Sequence, residues 1–187
     1  VNKLNFYDID NEAMEKYKNN LTQFDIELIP CTSISEAIQN TDIITTATAK
    51  KEKVTLLKNN DIPPGVMINT IGGDCPGKTE LDPSIINNNL VVVDFLEQAL
   101  IEREIQNMHD RSSVKELWQL VNGETHGRTS EDQITVFDSV GCAVEDYSAL
   151  RFALNLANEL NCGTNSSLIP EPQNPKDLFH RPEKLGC

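Results

Sequence analysis

The stretch Ile68-Asn69-Thr70-Ile71-Gly72-Gly73-Asp74-Cys75-Pro76-Gly77-Lys78-Thr79-Glu80-Leu81 decides how this chain is read. An apolar strand-like run enters two glycines and a carboxylate, then a proline and a further glycine lead to a lysine. Glycine carries no Cβ, so the backbone at Gly72 and Gly73 can approach a ligand closely. A carboxylate at such a strand end is placed for moving protons. The run satisfies two different patterns, and the choice between them sets the function.

The first pattern is the phosphate loop, GxxxxGK[ST], met by Gly72, Gly77, Lys78 and Thr79. Leu90-Val91-Val92-Val93-Asp94 even has the form of the metal-holding strand of such nucleotide triphosphatases. Three points count against it. Pro76 removes an N–H from the loop that should cradle phosphates. Asp74 would set a carboxylate against those phosphates. The loop should also launch a full helix, yet Pro83 and Asn87-Asn88-Asn89 leave room for a turn or two.

The second pattern begins at Asp8, which ends Leu4-Asn5-Phe6-Tyr7-Asp8 just before a helical run. In dinucleotide-binding folds an acid at the end of the second strand takes the ribose hydroxyls, and the glycine fingerprint lies about twenty residues earlier. Here that fingerprint is expected before Val1, because Val1-Asn2-Lys3-Leu4 reads as the middle of a strand. Alone, Asp8 reads equally as a helix cap; the rest of the pattern favours the ribose role.

Outward from these motifs the chain alternates strands and helices. Strands are expected at 4–9, 26–29, 42–48, 66–71, 90–95 and 134–140. Helices are expected at 11–21, 33–38, 82–86, 96–108, 114–121 and 143–160, the last stopped by Cys162-Gly163. Such alternation predicts an α/β fold with an open, Rossmann-like parallel sheet flanked by helices. Ligands of these sheets sit at the carboxyl ends of strands. Asp8, Thr48, Gly72 to Asp74 and Ser139 fall at such ends and are expected to converge on one crevice. The tail from Thr164, with Pro170, Pro172, Pro175 and Pro182, reads as an extended arm.

The chain has 187 residues and a net charge of −13. Such acidity argues against a nucleic-acid or anionic-membrane binder and fits a small-molecule ligand. No apolar stretch is long enough to span a bilayer. The five cysteines are scattered, with no CxxC, which reads as reduced thiols in a cytoplasmic protein. His109, His126 and His180 are isolated and lack metal-ligand spacing, so no metal site is expected.

These residues resemble the ornithine cyclodeaminase/mu-crystallin family, most closely its bacterial ornithine-cyclising branch. Gly72 to Leu81 resembles that branch's signature throughout. Further likenesses are Tyr7-Asp8-Ile9-Asp10, Asp42 to Ala49, Ile101-Glu102, Glu104-Ile105-Gln106, Gly123-Glu124-Thr125, Val136 to Gly141, Glu145-Asp146-Tyr147 and Pro175 to Phe179. The resemblance implies that Asp74 is the catalytic acid/base. It implies that Asp8, Thr48, Ile71, Gly72, Gly73, Asp74, Lys78 and Ser139 line an NAD site, and that Asp74 and Val140 touch substrate. The implied reaction takes L-ornithine to L-proline and ammonia, with NAD reduced and reoxidised within one turnover, in a cytoplasmic homodimer. It also implies that 1–161 form most of an NAD-binding domain. Residues 162–187 would then be an arm returning to a substrate and dimerisation domain, whose other part carries the substrate-gripping basic residues. A related amino-acid dehydrogenase or ketimine reductase is the alternative on this scaffold. Glu97, Ala99, Leu100 and Arg103 depart from the family's usual residues, Arg103 standing for a glycine, and are expected to disturb local helix packing.

Taken singly, Thr48 and Ser139 read as ordinary strand-end hydroxyls and Lys78 as a solvated surface lysine. Cys75 reads as a small packed thiol rather than a nucleophile.

Overall fold

The computed structural model describes residues 1–49, 54–139 and 141–165. They form two compact units, Val1–Cys142 and a second that begins at Ala143.

The first unit opens with β1 (Lys3–Phe6), α1 (Asn11–Leu21), β2 (Glu27–Pro30) and α2 (Ile34–Ala37). It continues through β3 (Ile43–Thr46), β4 (Met67–Thr70), α3 (Pro83–Asn88), β5 (Leu90–Val93) and α4 (Leu96–Glu102). It closes with β6 (Lys115–Glu116), α5 (Leu117–Val121) and β7 (Thr135–Asp138), and two short 3₁₀ turns lie at Asn59–Asp61 and Glu104–Asn107. All described strand pairs are parallel, which bears out the α/β expectation. The strands form a two-stranded sheet, β1-β2, and a five-stranded sheet in the order β3-β4-β7-β5-β6.

Parallel strands must be covered on both faces, and the sequence supplies the apolar residues for it. Ile44, Ile68, Val91, Val93 and Val136 are buried in the five-stranded sheet, and Leu57, Val66, Leu81, Ile85, Ile86 and Ile105 pack around them. Each such aliphatic side chain contributes roughly 1.5–3 kcal/mol on burial.

Strand register sets where each connecting loop departs. Thr46 pairs with Thr70, Thr70 with Asp138, and Val93 with Asp138. Four strand ends therefore stop at one level, and Thr48, Ile71–Asp74, Asp94 and Ser139 all leave from that same edge.

Two expectations need correction. The run 96–108 is not one helix: α4 stops at Glu102, and Arg103 is extended (φ −126°, ψ −177°) before the 3₁₀ turn. The break is set by buried polar chemistry, because the Ile105 N–H donates to Asp138 Oδ2 at 3.1 Å rather than to a helical carbonyl. The run 114–121 begins as a strand: Lys115 and Glu116 pair with Val92 and Val93, and only then does α5 start. Glu116 serves both neighbours. Its N–H donates to Gln119 Oε1 at 3.0 Å, and its Oε1 accepts from the Leu96 N–H at the start of α4 at 3.0 Å.

The second unit is described through α6 (Ala143–Glu159), which ends at Asn161 in the left-handed region (φ 50°). The Cys162 N–H donates back to the Ala157 carbonyl at 3.0 Å and closes the helix. Val144, Leu150 and Phe152 on this helix are largely exposed, as is Leu160 just past its end. Among the described residues no helix is long and apolar enough to cross a membrane.

Candidate active site

Asp8 lies just beyond β1. Its Oδ1 accepts the Asp10 N–H at 2.8 Å, while Asp10 itself caps α1 through the N–H groups of Glu12 and Ala13. Capping therefore falls to Asp10, and Asp8 stands exposed past the strand end. Among the described residues Asp8 shares no hydrogen bond with the remaining candidates.

Those candidates form two clusters on the edge of the five-stranded sheet. In the first, Lys78 is 2 % exposed, and its Nζ donates to the Thr48 carbonyl at 2.8 Å and to Asp74 Oδ1 at 3.1 Å. This is no solvated lysine: it ties the loop after β3 to the loop after β4. Asp74 is 55 % exposed, so its carboxylate reaches the surface while the cation beneath it is buried. Ile71 presents an apolar face beside it, 43 % exposed. Gly72 and Gly73 are buried. The Gly77 N–H is held by Gln106 Oε1 at 2.8 Å, at a left-handed φ of +82° that favours glycine.

Gly72 differs from expectation in one respect. A Cβ built there would overlap the carboxylate of Glu80, not an open ligand surface. Glu80 Oε1 accepts from the Thr48 N–H at 2.9 Å and from the Thr48 hydroxyl. The glycine thus admits a buried acid from this chain. The loop also launches no phosphate-loop helix, since α3 starts only at Pro83 and runs six residues.

In the second cluster Ser139 Oγ donates to Asp94 Oδ2 at 2.7 Å, and the Gly141 N–H donates to the same oxygen at 3.1 Å. Asp94 Oδ1 pairs with Arg103 at 2.6 Å, both side chains fully buried. Arg103 also donates to the carbonyls of Asp138 and Gly141. Arg103 lies where the expected helix breaks, and its charge is paired and holds the Ser139 loop. Val140, expected to touch substrate, lies outside the described residues.

Sequence reasoning missed Glu80, Glu104, Asp94, Asp138 and Arg103. The Glu104 carboxylate takes the N–H groups of Glu80 at 2.6 Å and Leu81 at 3.2 Å. Burial pushes its carboxyl up from an ordinary 4.5 to about 8, helped by Asp138 and Glu80 and partly offset by those two N–H groups. Burial likewise raises Asp138 from 3.8 to about 6, against the Thr70 hydroxyl and the Ile105 N–H. Asp94 and Asp138 carried a signal, as acids that end the apolar runs Leu90 to Val93 and Ile134 to Phe137; Glu80, Arg103 and Glu104 lie in polar stretches and carried none.

A raised folded-state value means the native state keeps a proton that the unfolded chain has lost. The Glu104 contribution is fully present below about pH 4.5 and is lost as pH rises through about 8. The thermal midpoint of the full-length protein is expected to fall between pH 5 and 8, and Glu104→Gln to flatten that fall. An equal slope in the variant, measured by circular dichroism, contradicts the assignment.

The model of the ornithine cyclodeaminase/mu-crystallin family matches residues 1–160. The chain belongs to that family. It is 44 % identical over 179 residues to an ornithine cyclodeaminase of Agrobacterium fabrum, covering 96 % of this chain and 51 % of that protein. A solved lysine cyclodeaminase, studied for its recognition of L-lysine, L-ornithine and L-2,4-diaminobutyric acid, is 26 % identical. It aligns with a TM-score of 0.79 over 95 % of this chain and 52 % of that one. The Δ1-pyrroline-2-carboxylate reductase of Thermococcus litoralis, solved with NADH and L-proline, is 29 % identical with a TM-score of 0.78. That alignment covers 89 % of this chain and 53 % of the reductase. The chain thus spans about half the length of the curated relatives it matches most fully.

Proposed function

We propose that the full-length protein converts L-ornithine to L-proline and ammonia with NAD. The observation that carries this reading is the surface carboxylate of Asp74, anchored by the buried ammonium of Lys78, at the edge where four parallel strands end. The 44 % identity to an ornithine cyclodeaminase supports the substrate.

The residues present suit NAD. Asp8 offers an exposed carboxylate for ribose hydroxyls and would repel a ribose phosphate. Exposed Ile71 offers an apolar face, and Thr48, Gly72, Gly73, Lys78 and Ser139 complete the assigned lining. NAD supplies hydride acceptance and return when bound. Asp74 accepts a proton from the substrate amine and delivers one to the departing nitrogen, and its charge steadies the cationic substrate. Val140 is assigned to substrate contact. Residues 1–161 are assigned to the NAD-binding part and 162–187 to an arm of the substrate and dimerisation part of a cytoplasmic homodimer.

Full-length protein given ornithine and catalytic NAD is expected to release proline and ammonia in equal amounts with no net NADH. Accumulation of NADH in step with substrate loss supports an amino-acid dehydrogenase instead. That second reading is favoured by the likeness to the NADH-bound reductase.

A further inference from the structure

We propose that Glu80 is a positioning residue, which sets the Lys78–Asp74 pair by clamping Thr48. This inference rests on the assignment of Asp74, Lys78 and Thr48 to the NAD-dependent site above.

Glu80 is 1 % exposed, and its Oε1 takes both donors of Thr48, the N–H at 2.9 Å and the hydroxyl. The Thr48 carbonyl, fixed in this way, receives Lys78 Nζ at 2.8 Å. The same ammonium reaches Asp74 Oδ1 at 3.1 Å. One hydrogen-bonded run therefore leads from a buried acid to the surface acid: Glu80, Thr48, Lys78, Asp74.

Three features hold the clamp. Gly72 vacates the space that the Glu80 carboxylate fills. Glu104 Oε1 grips the Glu80 N–H at 2.6 Å. The Glu80 carbonyl accepts the Leu56 N–H at 2.7 Å, so residue 80 is pinned along its backbone as well. A buried carboxylate is costly unless its charge and lone pairs are met, and Glu80 Oε2 has no hydrogen-bond partner among the described residues. The acid is thus retained at a cost to stability, and the group it serves directly is Thr48. Without it the Thr48 carbonyl is released, Lys78 loses one of its two anchors, and Asp74 loses its fixed height at the strand edge. A misplacement of about 1 Å in a catalytic group costs on the order of 10²-fold in rate.

The test is a double-mutant cycle in the full-length protein, with Glu80→Ala, Glu80→Gln, Lys78→Met and the Glu80→Ala/Lys78→Met pair. NAD affinity is read by fluorescence titration, and kcat with ornithine is expressed per bound NAD. Glu80→Ala is expected to weaken NAD roughly tenfold and to lower kcat roughly 10–100-fold. Glu80→Gln keeps an acceptor for both Thr48 donors and is expected to stay within about threefold of the parent. The double variant is expected to be no worse than Lys78→Met, because both changes act through one ammonium. Multiplying effects in the double variant overturn the proposal, as does a Glu80→Ala protein that only melts earlier. Should Glu80→Ala not fold, Thr48→Val takes its place, with the same lack of additivity required. A parent protein that makes no proline sinks the assigned reaction instead, and the NAD affinities still decide the role of Glu80.

Discussion

Asp74→Asn in the full-length protein is expected to bind NAD with near-parental affinity and to lose kcat by ~10²–10⁴-fold, the usual contribution of a general acid–base group. The asparagine keeps the shape and still accepts the Lys78 hydrogen bond, which the structure places at 3.1 Å. It cannot take a proton from the substrate amine, nor supply charge against a cationic substrate. Binding and turnover are therefore expected to part company. NAD titration beside a proline assay measures both, and near-parental proline production by the variant refutes the role of Asp74. Equal loss of NAD binding and turnover points instead to a purely structural Asp74–Lys78 pair.

Arg103→Met is expected to carry the largest loss of stability in the molecule. Arg103 and Asp94 are 0 % and 1 % exposed and pair at 2.6 Å. Removing one member of such a pair strands the other charge and typically costs ~3–5 kcal/mol. Two carbonyls, those of Asp138 and Gly141, also lose a donor. Adding Asp94→Asn is expected to return part of the loss, because the amide keeps an acceptor for Ser139 and Gly141 without the stranded charge. Denaturant titration of both proteins measures this. A single-variant loss below ~0.5 kcal/mol, the range of ordinary surface changes, contradicts it.

The two residues also show what was legible in the sequence. The strand–glycine–carboxylate run around Asp74 is local, so its strand, turn and exposed acid could be read directly. The parallel sheet was legible because strand and helix patterns alternate along the chain, and because Leu90–Val93 is the apolar run of a doubly covered strand. Arg103 was not legible, because its partners lie at Asp94, Asp138 and Gly141 and no spacing connects them. The same distant chemistry broke the expected 96–108 helix: periodicity reports which face is apolar, not that Asp138 will claim the Ile105 N–H. At 114–121 the helical spacing was real from Leu117 on, but Lys115 and Glu116 joined a sheet edge that only tertiary pairing reveals. Lys78 read alone looked like any surface lysine, and only the fold shows a buried ammonium under Asp74.

The space shared by Gly72 and Glu80 binds the histories of these two positions together. A methyl group gained at 72 displaces the Glu80 carboxylate from its seat on Thr48, and a shorter residue at 80 leaves a hollow beside the glycine. A side chain at 72 therefore requires residue 80 to move or to shorten first, whereas residue 80 can change while the glycine stays. Redesign of this loop for a bulkier residue at 72 has to start from where the Glu80 carboxylate can go.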